Sequence, residues 1–254
     1  YQSRWVENLK IRDDIGPVGP WNKDTDEDDA NREYFAEYVE LVVKALTKDT
    51  FSHQGPYWTI PEKGLVNPHP HSVYTELGQG VSDAMEINEI GIAPRPFQTP
   101  HPQIYGGFSA SMRTAKFWAK YRGKPIVMAS DLDFLKALWN AYRKEAEEKY
   151  DYSPTPGDEA AWGGLMICAK TDSEAEQLAH DMKWFWEKWA VPFGQPFPEL
   201  LFGSPDTLNK RIEQASKAVD INEMFLIIPQ GLHNRDEVLT SLELFGEKVI
   251  PNFS

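Results

Sequence analysis

The sequence holds a single cysteine, Cys168, in 254 residues. An intrachain disulfide is therefore excluded, which fits a reducing compartment, and a cytoplasmic location is expected. Cys168 lies inside the apolar run Leu165-Met166-Ile167-Cys168-Ala169 and reads as a buried strand residue. Basic residues are also scarce: 26 Lys and Arg against 39 Asp and Glu give a net charge of -13. Non-specific nucleic-acid binding needs clustered cations, so no nucleic-acid partner is expected. No apolar run reaches the roughly 18 residues that a spanning helix needs. No basic stretch followed by an apolar one opens the chain, so neither a membrane partner nor a secretion signal is expected. G-x-G-x-x-G, the P-loop and any cysteine cluster are missing too. Among six histidines, His69-Pro70-His71 cannot take the i, i+4 spacing of a zinc helix, because Pro70 interrupts it, and no metal site is expected.

What is present suffices for one large core: 41% of the residues are hydrophobic. A single domain over residues 1–254 is expected, with an insertion at about 51–102 that is rich in Pro, Gly and His. The acidic run Asp24, Asp26, Glu27, Asp28, Asp29 suits a helix N-terminus, with a cation site as the alternative. Phe35, Tyr38, Val39, Val42, Ala45 and Leu46 then recur at helical spacing and predict an inward face. From residue 103 the rhythm is strand, helix, strand, helix. Strands are expected at Gln103–Gly106, Pro125–Ala129, Gly164–Ala169 and Met224–Pro229. Helices are expected at Ser109–Lys120, Asp131–Tyr150, Ser173–Ala190, Thr207–Val219 and Asn234–Val249. Continuously apolar strands alternating with helices predict parallel βαβ units, in an open doubly wound sheet or part of a (β/α)8 barrel.

The sharpest local feature is the turn Ile104-Tyr105-Gly106-Gly107-Phe108-Ser109-Ala110-Ser111. Two glycines allow a close backbone approach, Ser109 is placed to cap the next helix, and Ser111 and Thr114 add hydroxyls. The amides and dipole of a helix N-terminus make an anion site, and the turn falls at the ligand-binding end of a parallel sheet. An ordinary tight turn with a serine cap accounts for the same residues. His53 and His101 fall in loops, His180 on a solvated helix face, and His233 after the last strand, the best catalytic position of the six. The cluster Trp184-Phe185-Trp186…Trp189 reads as core or subunit interface.

The stretch Arg95-Pro96-Phe97-Gln98-Thr99-Pro100-His101-Pro102-Gln103-Ile104-Tyr105-Gly106-Gly107-Phe108-Ser109-Ala110-Ser111 resembles the bacterial luciferase-like flavin monooxygenases. So do Tyr38-Val39-Glu40-Leu41, Phe51-Ser52-His53-Gln54-Gly55 with Tyr57-Trp58, Phe202-Gly203-Ser204-Pro205-Asp206-Thr207 and Ser241-Leu242-Glu243-Leu244-Phe245. The resemblance implies an α/β fold of (β/α)8 TIM-barrel type, with about the last four βα units present and the N-terminal half-barrel absent. It implies reduced FMN, or F420 in some branches, at the C-terminal face. A flavin reductase is implied as supplier, a small organic molecule as substrate and a homodimer as assembly. Carried over, the phosphate contact falls on Gly106, Gly107, Ser109, Ala110 and Ser111. The function implied is a monooxygenase. The alternatives are F420-dependent hydride transfer and a non-catalytic partner half on the same scaffold.

Overall fold

The computed structural model describes residues 26–67, 80–107, 111–193, 198–228 and 234–253. The chain divides into two compact units, Tyr1–Pro102 and Gln103–Ser254.

In the first unit, helix α1 runs from Asp26 to Thr47. The acidic run enters its first turns, and Asp28, 6% exposed, accepts from Arg32 Nε at 2.8 Å. Among the described residues no group of three His, Cys, Asp or Glu is arranged to hold a metal. The buried face of α1 is not the predicted stripe. Val39 and Leu41 are buried, but Phe35, Tyr38 and Val42 are exposed, and the carboxylate of Glu37 is buried in their place. The reason is polar. Glu37 accepts the backbone N–H of Tyr57 (3.0 Å) and of Trp58 (2.9 Å), and pairs with His53 Nε2 at 2.8 Å. Burial would raise its pKa, but these bonds outweigh it and hold the carboxyl below its usual range. Lys44 Nζ, which can only donate, lies 3.0 Å from His53 Nδ1, so Nε2 is the donor to Glu37. This anchor fixes the antiparallel pair β1 (His53–Gln54) and β2 (Thr59–Ile60) to the helix.

In the second unit the order is β3 (Tyr105–Gly106), α2 (Met112–Ala119), β4 (Lys124–Val127), α3 (Leu132–Tyr150), β5 (Ala161–Cys168), α4 (Asp172–Phe185), β6 (Leu200–Gly203), α5 (Pro205–Ala218), β7 (Met224–Ile227) and α6 (Arg235–Lys248). All pairings in this sheet are parallel. The predicted βα rhythm holds, with β6 as a strand the sequence pattern did not announce. Leu200–Gly203 is only four residues long and runs straight into a helix cap, so periodicity has too little to work on.

β5 is the hub. Trp162 is level with Val127 of β4 and Met224 of β7; Leu165 is level with Leu200 of β6 and Ile227 of β7. A strand has two edges, so β7 takes one while β4 and β6 share the other in succession. The handover is visible at Glu199, whose N–H donates to Met128 O (3.2 Å) and whose carbonyl accepts from Leu165 N–H (3.0 Å). β5 starts at Ala161, three residues before the predicted start at Gly164, so that both Gly163 and Gly164 lie inside the strand. In the fold they are required. A Cβ on Gly163 would collide with the carbonyl of Phe225, and one on Gly164 with that of Glu199. All eight β5 residues are buried, as are all four of β4. Leu165, Ile167 and Ala169 pack with Phe202 against Ala175, Ala179 and Met182 of α4. That helix ends at Phe185, and the chain continues through a π turn, Trp186–Ala190. Of the aromatic cluster, Trp186 packs on the core while Trp184 is 53% exposed.

Beyond the end of β7, the N–H of Cys168 donates to Ser241 Oγ of α6 at 2.8 Å. Ser241→Ala strands this buried donor. A loss of about 1–3 kcal/mol is expected in urea unfolding, and an unchanged midpoint would show that the bond does not hold α6 to the sheet. At the opposite end of the strands, Lys124 Nζ bonds Asp158 (3.0 Å) and Glu223 (2.6 Å), and Tyr105 OH donates to Glu223 at 2.7 Å. Burial alone would lower the Lys124 pKa, but the two carboxylates raise it. This cluster ties β3, β4 and the start of β7 together.

Candidate functional site

Because the sheet is parallel, α2 to α6 all begin at the C-terminal ends of the strands, where ligands bind in such folds. Each begins with a side-chain cap. Ser111 accepts from Thr114 N–H (3.2 Å), Asp131 from Asp133 N–H (2.9 Å), Thr171 from Glu174 N–H (3.2 Å), Ser204 from Thr207 N–H (3.4 Å) and Asn234 from Glu237 N–H (3.0 Å). The starts of α4 and α5 are also tied to each other. Asp172 accepts Ser204 N–H at 2.7 Å and the Thr207 hydroxyl at 2.9 Å, and the Ser204 and Thr207 bonds hold its carboxyl below the usual range.

The five starts differ in charge. The first turn of α3 contains Asp133, that of α4 Asp172 and Glu174, that of α5 Asp206, and that of α6 Asp236 and Glu237. The first turn of α2 contains no acid. A carboxylate in the first turn answers the positive end of the helix dipole and repels an anionic ligand. Of these five helices, α2 alone has a first turn with no acid to answer its dipole.

At the predicted turn the structure changes the cap and separates the roles of the two glycines. The cap of α2 is Ser111, not Ser109: α2 starts at Met112, and Ser111 has the extended backbone of a cap (φ -144, ψ 146). Its hydroxyl also meets Thr114 Oγ1 at 2.9 Å. Gly106 is buried, and a Cβ there would collide with the indole of Trp118, so this glycine serves packing within the fold. Gly107 is exposed, with nothing within 4 Å of where a Cβ would stand, so its backbone can be approached. Ser109 and Ala110 lie outside the described residues, as do His233, His69 and His71. His53 is committed to Glu37 and Lys44, and His101 Nδ1 donates to the carbonyl of Pro102 at 2.7 Å. His180 is on an exposed helix position, as predicted.

A cleft of about 580 Å³ opens at the end of β5, lined by Cys168, Ala169, Glu174, Leu178, Asn234 and Thr240 among others. Its chemistry does not suit a phosphate. Glu174 accepts Lys170 N–H (3.2 Å) and Glu237 accepts Asn234 N–H (3.2 Å), so carboxylates already occupy the anion positions. Burial pushes the Cys168 thiol up to about 11, which leaves it unreactive at neutral pH. Two positions were missed by sequence reasoning: Trp118, which explains Gly106, and the acid-free first turn around Arg113. The second was legible in the sequence once helix starts were compared.

Successive parallel βα units with a capped helix start at each strand end define an α/β architecture of barrel type. The family model for luciferase-like monooxygenases matches residues 15–241, and the chain belongs to that family. It is 22% identical over 209 residues to 3,6-diketocamphane 1,6-monooxygenase of Pseudomonas putida, covering 72% of this chain and 51% of the relative. The chain thus spans about half the length of that curated relative. Its fold is similar to monooxygenase RslO1 from Streptomyces bottropensis, with a TM-score of 0.70 and 15% identity, over 100% of this chain and 67% of that one. It is also similar to the oxygenating constituent of 3,6-diketocamphane monooxygenase from Pseudomonas putida in complex with FMN. There the TM-score is 0.67 at 20% identity, over 100% of this chain and 69% of that one.

Proposed function

We propose that the protein acts as a flavin-dependent monooxygenase, oxidising a small organic substrate with molecular oxygen and reduced FMN received from a separate flavin reductase. The observation that carries the reading is the acid-free first turn of α2, capped by Ser111 at the C-terminal end of β3. It fits a phosphate in three respects. Thr114 N–H is taken by the cap, and the first amides of a helix have no intrahelical carbonyl to bond. The first turn of α2 contributes no carboxylate to offset the positive helix end. Gly107 presents backbone without a side chain in the way. Ser109 and Ala110 belong to the same proposed grip. The bound flavin would supply the oxygen chemistry, and the protein would supply its orientation.

The test is oxygen uptake by this chain with FMN and a generic flavin reductase, scored against the reductase alone. Uptake above that background, coupled to oxidation of small ketones or alkanes, supports the reading. Absence of flavin binding in fluorescence titration sinks it. Tight binding of F420 instead of FMN would move the reaction class to hydride transfer.

A further inference from the structure

The buried residues of α2 are Ala115, Trp118 and Ala119, so one indole is the large spacer on an otherwise small-residue face. Trp118 is 4% exposed, and opposite edges of its ring meet two glycines. A Cβ on Gly106, at the end of β3, would collide with Nε1 and Cε2 of the indole. One on Gly123, just before β4, would collide with Cε3 and Cζ3. The ring is thus flush against main chain at both edges. Those supports are themselves fixed. Gly106 is level with Pro125 of β4. The N–H of Gly123 donates to the Trp118 carbonyl at 3.0 Å, and the Gly123 carbonyl accepts the Tyr142 hydroxyl of α3 at 3.1 Å. The carbonyl of Ala119, the last residue of α2, accepts the Tyr152 hydroxyl at 2.6 Å. The C-terminal end of α2 is therefore pinned at Trp118 and its neighbour.

We propose that Trp118 is a positioning residue for the flavin phosphate: its indole sets the separation of α2 from β3, and with it the place of the helix start that would take the phosphate. The inference rests on the flavin reading above and deepens it. Trp118 lies six residues beyond Met112, roughly 9 Å along the helix, so it acts through Gly106 and the helix axis and not by touching the ligand. Interiors are close-packed, so α2 settles toward the strand when the ring is removed and is pushed off it when Gly106 gains a methyl group. A misplacement of about 1 Å can cost roughly 100-fold at a positioned site, so part of such a shift is measurable. The phosphate is the part of the ligand that would meet α2. A displaced α2 therefore weakens FMN and leaves riboflavin, which lacks the phosphate, nearly as it was.

The experiment measures dissociation constants of FMN and riboflavin by fluorescence titration, with a urea midpoint for each protein. The proteins are the unsubstituted chain, Trp118→Phe, Trp118→Leu, Gly106→Ala and Gly106→Ala/Trp118→Leu. Trp118→Leu should lower the preference for FMN over riboflavin roughly 10-fold, and Trp118→Phe, which keeps an aromatic spacer, by less than about 3-fold. Gly106→Ala should cost a factor similar to that of Trp118→Leu. In the double variant the leucine lacks the atoms that the new methyl group would strike, and the preference should return to within about 3-fold of the unsubstituted chain. A tryptophan that serves stability alone would lower the urea midpoints and leave the ratio of the two affinities unchanged, and that result overturns the proposal. Loss in Gly106→Ala with no recovery in the double variant overturns it as well. Where Trp118→Leu fails to fold, Gly106→Ala decides alone, and an unchanged ratio there is fatal. An unsubstituted chain that binds FMN no tighter than riboflavin overturns the phosphate site itself, and one that binds neither overturns the functional reading.

Discussion

Arg211→Met is expected to cost about 3 kcal/mol of folding stability at pH 8 and distinctly less at pH 5. Glu199 is 3% exposed and sits at the handover between β4 and β6 on the edge of β5. Arg211 donates to its carboxylate and to the carbonyl of Leu200. Removing the guanidinium leaves a buried carboxylate without its counter-charge. That is the costly half of breaking a buried pair, and the 35% exposure of the Arg211 side chain keeps the figure at the lower end of the usual range. The pH dependence follows from the direction of the Glu199 shift. Burial raises its pKa above the usual carboxyl value, and Arg211 only partly opposes this. A raised pKa means that the folded state holds its proton more tightly than the unfolded chain does. The associated stability is present below the unfolded pKa of about 4.5 and is lost as pH rises through the folded value. Without Arg211 the folded value moves further up and the loss with pH becomes steeper. Urea unfolding at pH 5 and pH 8 reads this directly. A variant equally stable at both pH values, and equal to the unsubstituted protein, would mean that Glu199 is not held charged by Arg211. Adding Glu199→Gln should restore most of the pH 8 loss.

That pair was invisible in the sequence, and the reason is general. Apolar periodicity reports which faces are buried when the buried groups are apolar. Glu199, Glu159 and Lys124 are buried with charged partners brought from distant positions, and nothing local marks them. Glu37 is the same case with a further consequence. Its anchoring of Tyr57 and Trp58 overrides the stripe of Phe35, Tyr38 and Val42 and turns them outward. What was legible is what repeats. The alternation of apolar strands with capped helices gave the parallel α/β order, and Ser204-Pro205-Asp206 marked the start of α5 where it stands. At the candidate site the two glycines of the turn proved to differ: Gly107 has open space where a Cβ would stand, whereas Gly106 answers to Trp118 across the chain's own packing. The cap fell on Ser111 and not Ser109 because both serines precede the same apolar face, and only backbone geometry separates them.

Arg113→Asp is expected to weaken FMN binding about 10-fold to 100-fold while leaving riboflavin binding and the melting temperature nearly unchanged. Arg113 is exposed at the second position of α2, where a carboxylate is locally favourable because it answers the helix dipole. The substitution makes the α2 start like those of α3, α4, α5 and α6, which all hold an acid there. It therefore reverses the charge at the start of the helix proposed to hold the phosphate. A tenfold change corresponds to about 1.4 kcal/mol, and loss of one favourable contact plus gain of one repulsive charge within a few ångströms reaches that even in a wet site. Ser111→Ala cannot make the same distinction, since it removes the cap and loosens the helix at about 1 kcal/mol as well. The contrast between FMN and riboflavin isolates the phosphate from the ring system. Equal weakening of both ligands would show that the turn contacts the ring. Unchanged FMN affinity would remove the first turn of α2 from the site and return the cleft at the end of β5 to first place, with a ligand of other chemistry.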